Sequence, residues 1–259
     1  CSMDITNKRV LLTGGSSGIG KAIIDELHGF NTSIVVGDLN PEAIQHHANI
    51  TAIYCDVSKQ KDIDALFKKA LAIMGGIDLC IANAGFAYYE KIESVDYEHI
   101  QKIVTVNYIA PIYCLEKMIE INKGKKFSVA FTASAMAKLP LPCYALYSAT
   151  KAALDGFAHS FNFEKDSNAH LLIVYPIATK TKFFATAGNN IPVPFPTQTP
   201  ERVAKEVVKG LQKEKRYVFP SKLFRRMMIV NRFLPLVLYC YVKVEQYTLK
   251  KWLKYANGQ

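Results

Sequence analysis

Tyr147-Ser148-Ala149-Thr150-Lys151 sets a phenol and an ammonium four residues apart, on one face of any helix that carries them. A phenol titrates near 10 and is a poor base at neutral pH. A nearby ammonium favours the phenolate, so the pair can take a proton from an alcohol or return one to an alkoxide. This pattern alone is a common solvated helix face and gains weight only from its company. Ser134 stands 13 residues earlier, where a hydroxyl can hold a substrate oxygen. Asn107 lies in Thr105-Val106-Asn107-Tyr108, inside a helical pattern that gives asparagine no propensity reason to be there.

A second cluster suits a dinucleotide. Thr13-Gly14-Gly15-Ser16-Ser17-Gly18-Ile19-Gly20 ends an apolar run and opens a helical one. Glycines let backbone approach a pyrophosphate, and a helix N-terminus offers free N–H groups. The spacing is GxxxGxG, and an ordinary tight strand-to-helix turn is the plainer reading. Asp38 and Leu39 follow the second strand about 20 residues later, where a carboxylate can accept from a ribose 2′-hydroxyl and repel a 2′-phosphate. No Lys or Arg stands in the glycine turn or directly after Asp38, which favours NAD over NADP. Asn83-Ala84-Gly85 ends a further strand with small residues that leave room for a cofactor.

The elements that must position these residues are legible from hydropathy. Strands are expected at 8–13, 33–37, 51–55, 77–82, 126–133, 171–175 and 216–219, each nearly continuously apolar, as in strands covered on both faces. Helical patterns fall at about 18–28, 41–47, 58–74, 96–120, 144–166 and 200–212. This alternation predicts an α/β fold: a doubly wound, Rossmann-like parallel sheet in three α/β/α layers. The candidate residues then gather at the carboxyl ends of the strands, where open α/β sheets bind ligands. Residues 185–200 hold four prolines and are expected to be an irregular binding loop or lid.

With these motifs in order, the sequence resembles the short-chain dehydrogenase/reductase family, of the single-domain type, collinearly over about residues 6–220. The resemblance implies a NAD(P)(H)-dependent oxidoreductase, with Tyr147 as acid/base, Lys151 tuning it and holding the nicotinamide ribose, and Ser134 polarising the substrate oxygen. Asn107 would keep a water that links Lys151 to solvent. It also implies cofactor contacts from Asp56 and Val57 at the adenine and from Val106, and a dimer or tetramer built on the two longest helices. One motif departs from the family's PGxVxT: Pro176-Ile177-Ala178-Thr179-Lys180-Thr181 keeps Pro176 and Thr181 but sets Ile177 and Thr179 where Gly and Val are usual. Thr181 can still hydrogen-bond the carboxamide. The expected substrate pocket comprises Ala135, Met136, Leu139, Pro142, Cys143, Tyr144, Ala178, Phe183 and Phe184, nearly all apolar, which favours a hydrophobic secondary alcohol or its ketone.

Composition bounds the rest. The 259 residues are 50% hydrophobic and 21% charged, which excludes a collagen-like or disordered chain. Six cysteines without CxxC pairs or histidine at ligand spacing predict neither a zinc site nor a disulfide framework, and suit a reducing compartment. No secretory signal is expected, so the expected location is cytoplasmic, with peripheral membrane contact open. Residues 1–200 carry 18 charges of each sign; residues 201–259 carry 14 basic against 4 acidic, so the whole net charge of +10 lies there. The chain divides into a catalytic domain over 1–221 and a basic, apolar helical extension over 222–259. Wound as a helix, 236–255 presents Lys243, Tyr247, Lys250, Lys251 and Lys254 on one side and Leu238, Val242, Leu249 and Trp252 on the other. That helix can meet a membrane surface, pack on a partner subunit or cover the pocket. No nucleic-acid module is recognised. A second function class stays open: a NAD(H)-binding sensor or membrane adaptor with little turnover.

Overall fold

The computed structural model describes residues 3–93, 96–188, 191–234 and 236–256, with backbone alone at 237 and 254–256. Seven strands form one parallel sheet in the order β3-β2-β1-β4-β5-β6-β7. They are β1 (Arg9–Thr13), β2 (Ser33–Asp38), β3 (Ile50–Tyr54), β4 (Leu79–Ala82), β5 (Phe127–Thr132), β6 (Ala169–Val174) and β7 (Tyr217–Val218). The order reverses between β1 and β4, where Thr13 pairs with Ala82 and the two carboxyl ends part. A crevice at such a reversal is the ligand site of open α/β sheets.

Both faces of the sheet are covered, which is why its strands are apolar without alternation. Along β1, Leu11 packs on one face with Phe67 of α2 (Gln60–Met74), Leu115 of α4 (Ala110–Ile121) and Leu154 of α5 (Ala145–Glu164). Val10 and Leu12 pack on the other with Ile23 of α1 (Gly18–His28) and Val207 of α7 (Pro200–Gln212). The three-layer expectation holds.

Two expected helices differ. Of 41–47 only Pro41–Ala43 turns, as one 3₁₀ turn; Ile44 is already extended and His47 bridges Ile50. Seven residues cannot carry the nucleation cost of a helix without tertiary support. The long pattern 96–120 is continuous but not uniformly α: α3 (Tyr97–Val104) passes into a π-turn at Thr105–Ile109 before α4. The proline-rich stretch is largely irregular as expected, although its first residues, Ala185–Ala187, complete α6 (Phe183–Ala187).

The C-terminal extension is helical as α8 (Lys222–Phe233) and α9 (Leu236–Ala256). Leu238 is buried, and Tyr241, Val242, Leu249 and Trp252 pack against a third apolar cluster built on Tyr89, Tyr144, Tyr147 and Phe184. Among the described residues no single helix is long and apolar enough to cross a membrane; only α8 and α9 taken together, bent by 117°, reach that length and composition.

Candidate active site

A cleft of about 460 Å³ runs along the carboxyl ends of the strands. At its floor lies the glycine turn. Gly14 has φ +76°, and a Cβ there would stand 2.8 Å from the Ala84 backbone. Gly18 (φ +57°) opens α1, and its N-cap residue Ser17 makes no side-chain cap. The first-turn N–H groups therefore face the cleft without a side-chain acceptor, as an anion site requires. Gly20 serves packing instead, since a Cβ there would lie 1.8 Å from the Gly14 carbonyl oxygen. Ser16 also stands outside the cleft lining; its N–H donates to Asp38 Oδ2 at 2.9 Å.

Asp38 is nearly buried at the tip of β2 and accepts a second N–H, from Asn40, at 2.9 Å on Oδ1. Two N–H donors fix the carboxylate at the cleft wall with lone pairs to spare. Leu39, Asp56 and Val57 line the same end. Asn83 ties the turn to the sheet: its Nδ2 donates to the Gly14 carbonyl at 2.7 Å, and its Oδ1 accepts from Thr132 Oγ1 at 3.1 Å. Ala84, Gly85 and Val106 continue the wall. A loop of this shape, with glycines that admit close backbone approach, a bare helix N-terminus and a fixed carboxylate, fits a dinucleotide.

At the other end stand Ser134, Tyr147 and Lys151, each less than a tenth exposed. Tyr147 and Lys151 come from the first turns of α5, and Ser134 from the end of β5. Lys151 Nζ donates to the Thr132 carbonyl at 2.8 Å and lies 5.6 Å from the Tyr147 ring centroid. Burial pushes the Tyr147 phenol up to about 12, with the Ser134 hydroxyl pulling against it. Burial pulls Lys151 down to about 7. A neighbouring ammonium alone would draw the phenol down; in this geometry desolvation outweighs it and favours the uncharged form of both groups.

Asn107 is fully buried in the π-turn and lies behind the cleft rather than in its lining. Its Oδ1 accepts from Phe86 N at 3.0 Å, and its Nδ2 donates to Phe86 O at 2.8 Å and Thr150 Oγ1 at 3.2 Å. The side chain is thus committed to holding the loop after β4 against α5. A π-turn displaces backbone groups from the regular helical ladder and recurs at functional sites.

The departing motif after β6 is accounted for. Pro176, Ile177, Thr179 and Thr181 all line the cleft. Thr179 is buried; its Oγ1 donates to Ile177 O at 2.8 Å and accepts from Gln198 Nε2 at 3.3 Å, which pins the proline-rich loop. Thr181 Oγ1 accepts from Phe183 N at 3.2 Å, and its methyl lies where a Gly18 Cβ would be 3.1 Å away.

Among expected pocket residues, Met136, Ala178, Phe183 and Phe184 line the cleft. Ala135 and Leu139 line a smaller cavity beside it. Cys143 and Tyr144 line neither: both are buried in the apolar cluster behind Tyr147, with the Tyr144 and Tyr147 rings 6.3 Å apart. Pro142 is in neither lining. Lys138 turns away to pair with Asp155 at 2.6 Å. Sequence reading missed Lys102, Phe86, Thr132 and Thr186 in the cleft wall. Phe86 meets Asn107, and Thr132 meets Lys151, through backbone groups, which carry no signal in residue type.

The profile of the short chain dehydrogenase family matches residues 8–191. The chain belongs to the short-chain dehydrogenase/reductase family. That family supplies the oxidoreductase class and the NAD(P)-binding Rossmann fold. The chain is 30% identical over 229 residues to a 3-dehydrosphinganine reductase of Danio rerio, across 80% of this chain and 69% of that one. A 3-ketodihydrosphingosine reductase of Bos taurus is 29% identical across 77% and 67%. Among solved structures, a short chain dehydrogenase/reductase from Burkholderia phymatum in complex with NAD superposes with TM-score 0.80 at 16% identity, covering 89% of this chain and 94% of that one.

Proposed function

We propose that the protein interconverts a hydrophobic secondary alcohol and its ketone, with NAD(H) as redox partner. One observation carries this reading: the Ser134 and Tyr147 hydroxyls line a dinucleotide-shaped cleft together with the apolar Met136, Ile177, Ala178, Phe183 and Phe184, with Lys102, Lys182 and Thr186 as polar members of the same wall. Such a wall rewards apolar flanks on the substrate and leaves two hydroxyls to address one oxygen. When bound, the nicotinamide accepts or supplies the hydride. Ser134 holds the substrate oxygen. Tyr147 takes the alcohol proton in oxidation and returns it to the nascent alkoxide in reduction. Lys151 biases the phenol and steadies the cofactor ribose, and Asn107 keeps the proton path to Lys151 in register.

The test is oxidation of NADH by a panel of apolar ketones. Tyr147→Phe should lose about 10²–10⁴-fold in kcat/KM while binding NADH as the wild type does. Equal turnover in the variant contradicts the reading. The sensor or adaptor alternative predicts tight NADH binding and no turnover in the wild type with any ketone.

For NAD over NADP, the support is the Asp38 carboxylate in the cleft wall. Asp38→Asn removes the charge and keeps one of the two backbone contacts, since Ser16 N and Asn40 N donate to different carboxylate oxygens and an amide has a single oxygen. It is expected to raise NADPH affinity relative to NADH by about tenfold or more, and an unchanged ratio contradicts the assignment.

Residues 1–221 are read as the catalytic unit and 222–259 as an extension of it. The outer face of that extension supports contact with an anionic membrane surface: Phe233 is 81% exposed, with Leu234 and Leu236 beside it and Arg225, Arg226 and Arg232 on α8. A homodimer or homotetramer is the other use of exposed helix faces. Co-sedimentation with anionic vesicles, lost in neutral ones, separates the two.

A further inference from the structure

A second cavity of about 60 Å³ abuts the cleft and shares Ser134, Met136, Ile177 and Ala178 with it. Ala135, Leu139 and Leu141 add to the near wall, and the far wall comes from later in the chain: Pro194 and Pro196 of the proline-rich loop, Phe224 and Met227 of α8, and Tyr241 of α9. Only Ser134 and Tyr241 bring polar side-chain atoms to it. A space several times the 10–15 Å³ that one water needs, so sparsely supplied with polar partners, stays dry and accepts hydrocarbon. The partition from the cleft includes Met136, an unbranched side chain that adapts to what packs on it.

We propose that this chamber is a subsite for one apolar arm of the substrate, and that Met227, Phe224 and Tyr241 of the C-terminal extension set how long an arm it takes. The inference rests on the redox reading for the position of the carbonyl, at Ser134, and adds the direction in which the substrate extends. It gives the extension a role at the site: α8 and α9 close the far wall that the sheet and its crossover helices leave open. Phe224 is nearly buried and anchors α8, whereas Met227 is half-buried, so the size of its side chain can change with less disturbance of the fold.

Binding, which needs no turnover, tests it. Straight-chain 2-alkanones of increasing length are titrated by calorimetry into the full protein loaded with NAD, which has no hydride to give them. Wild-type affinity is expected to rise roughly fourfold per added methylene until the chamber fills, then level off. Met227→Trp should bring the plateau to shorter ketones, and Met227→Ala should move it to longer ones. A plateau at the same length in all three proteins, or no rise with length, overturns the proposal. Length-dependent binding without Tyr147-dependent turnover would keep the subsite and remove the redox reading. Turnover with a length preference indifferent to Met227 would do the reverse.

Discussion

Tyr147 and Lys151 lie in the same buried pocket, and burial moves their proton affinities in opposite directions, to about 12 and about 7. The consequences differ for chemistry and for stability. Below about 12 the phenol carries its proton, so ketone reduction has its acid in place across the neutral range. Alcohol oxidation needs the phenolate, so its rate is expected to climb with pH through the alkaline range. A pH-independent oxidation rate in that range contradicts Tyr147 as the base. For Lys151, the folded value lies below the ordinary 10.5, so the unfolded chain binds more protons between about 7 and 10.5 and stability rises with pH across that window. Lys151→Met should flatten this rise and add about 1–4 kcal/mol at neutral pH while abolishing turnover. Denaturant melts at several pH values check the sign. Ser134, Tyr147 and Lys151, picked out by residue type and spacing, do come together in the cleft, whereas Asn107 lies behind it. The Thr132 carbonyl that receives Lys151 was not legible in the sequence, since every residue owns a carbonyl.

At the scale of elements, the π-turn between α3 and α4 does what an unbroken helix cannot. It carries a fully buried asparagine at the point where α5 and the loop after β4 meet. Asn107→Ala would leave both Phe86 backbone groups unpaired, at about 1–3 kcal/mol each. The loss should appear as lowered denaturant midpoint and as weakened NADH binding, because Gly85 next to that loop lines the cofactor cleft. Unchanged NADH affinity would reduce Asn107 to a fold residue. Periodicity identified one long helix here but not the extra residue in its turn, because a π-turn shifts the pattern by less than the width of an apolar stripe. Residues 41–47 failed for the opposite reason: two apolar residues in a seven-residue window fit a helix and a loop equally well.

For the whole molecule, charge and packing divide the chain differently. All the net charge lies beyond residue 200, yet α9 packs its apolar face on the cluster around Tyr89 and Tyr144, where the Tyr89 and Trp252 rings meet edge to face at 4.9 Å. The extension thus turns Val242, Leu249 and Trp252 inward, while its outer face mixes basic side chains with exposed Phe233, Leu236 and Val244. Periodicity placed Lys243, Tyr247, Lys250 and Lys251 outward and Leu238, Val242, Leu249 and Trp252 inward as the structure has them, with the Lys254 side chain outside the described residues, but it left open what the inner face covers, since a helical pattern names a face and never its neighbour. Proton transfer at Tyr147 is the step on which the proposed reaction depends. The most direct measurement is a single turnover: wild type and Tyr147→Phe, each preloaded with NADH and shown to bind it equally, mixed with saturating apolar ketone while NADH absorbance is followed. The account predicts a burst of oxidation in the wild type and a rate about 10²–10⁴-fold slower in the variant. Equal bursts in both proteins would contradict it.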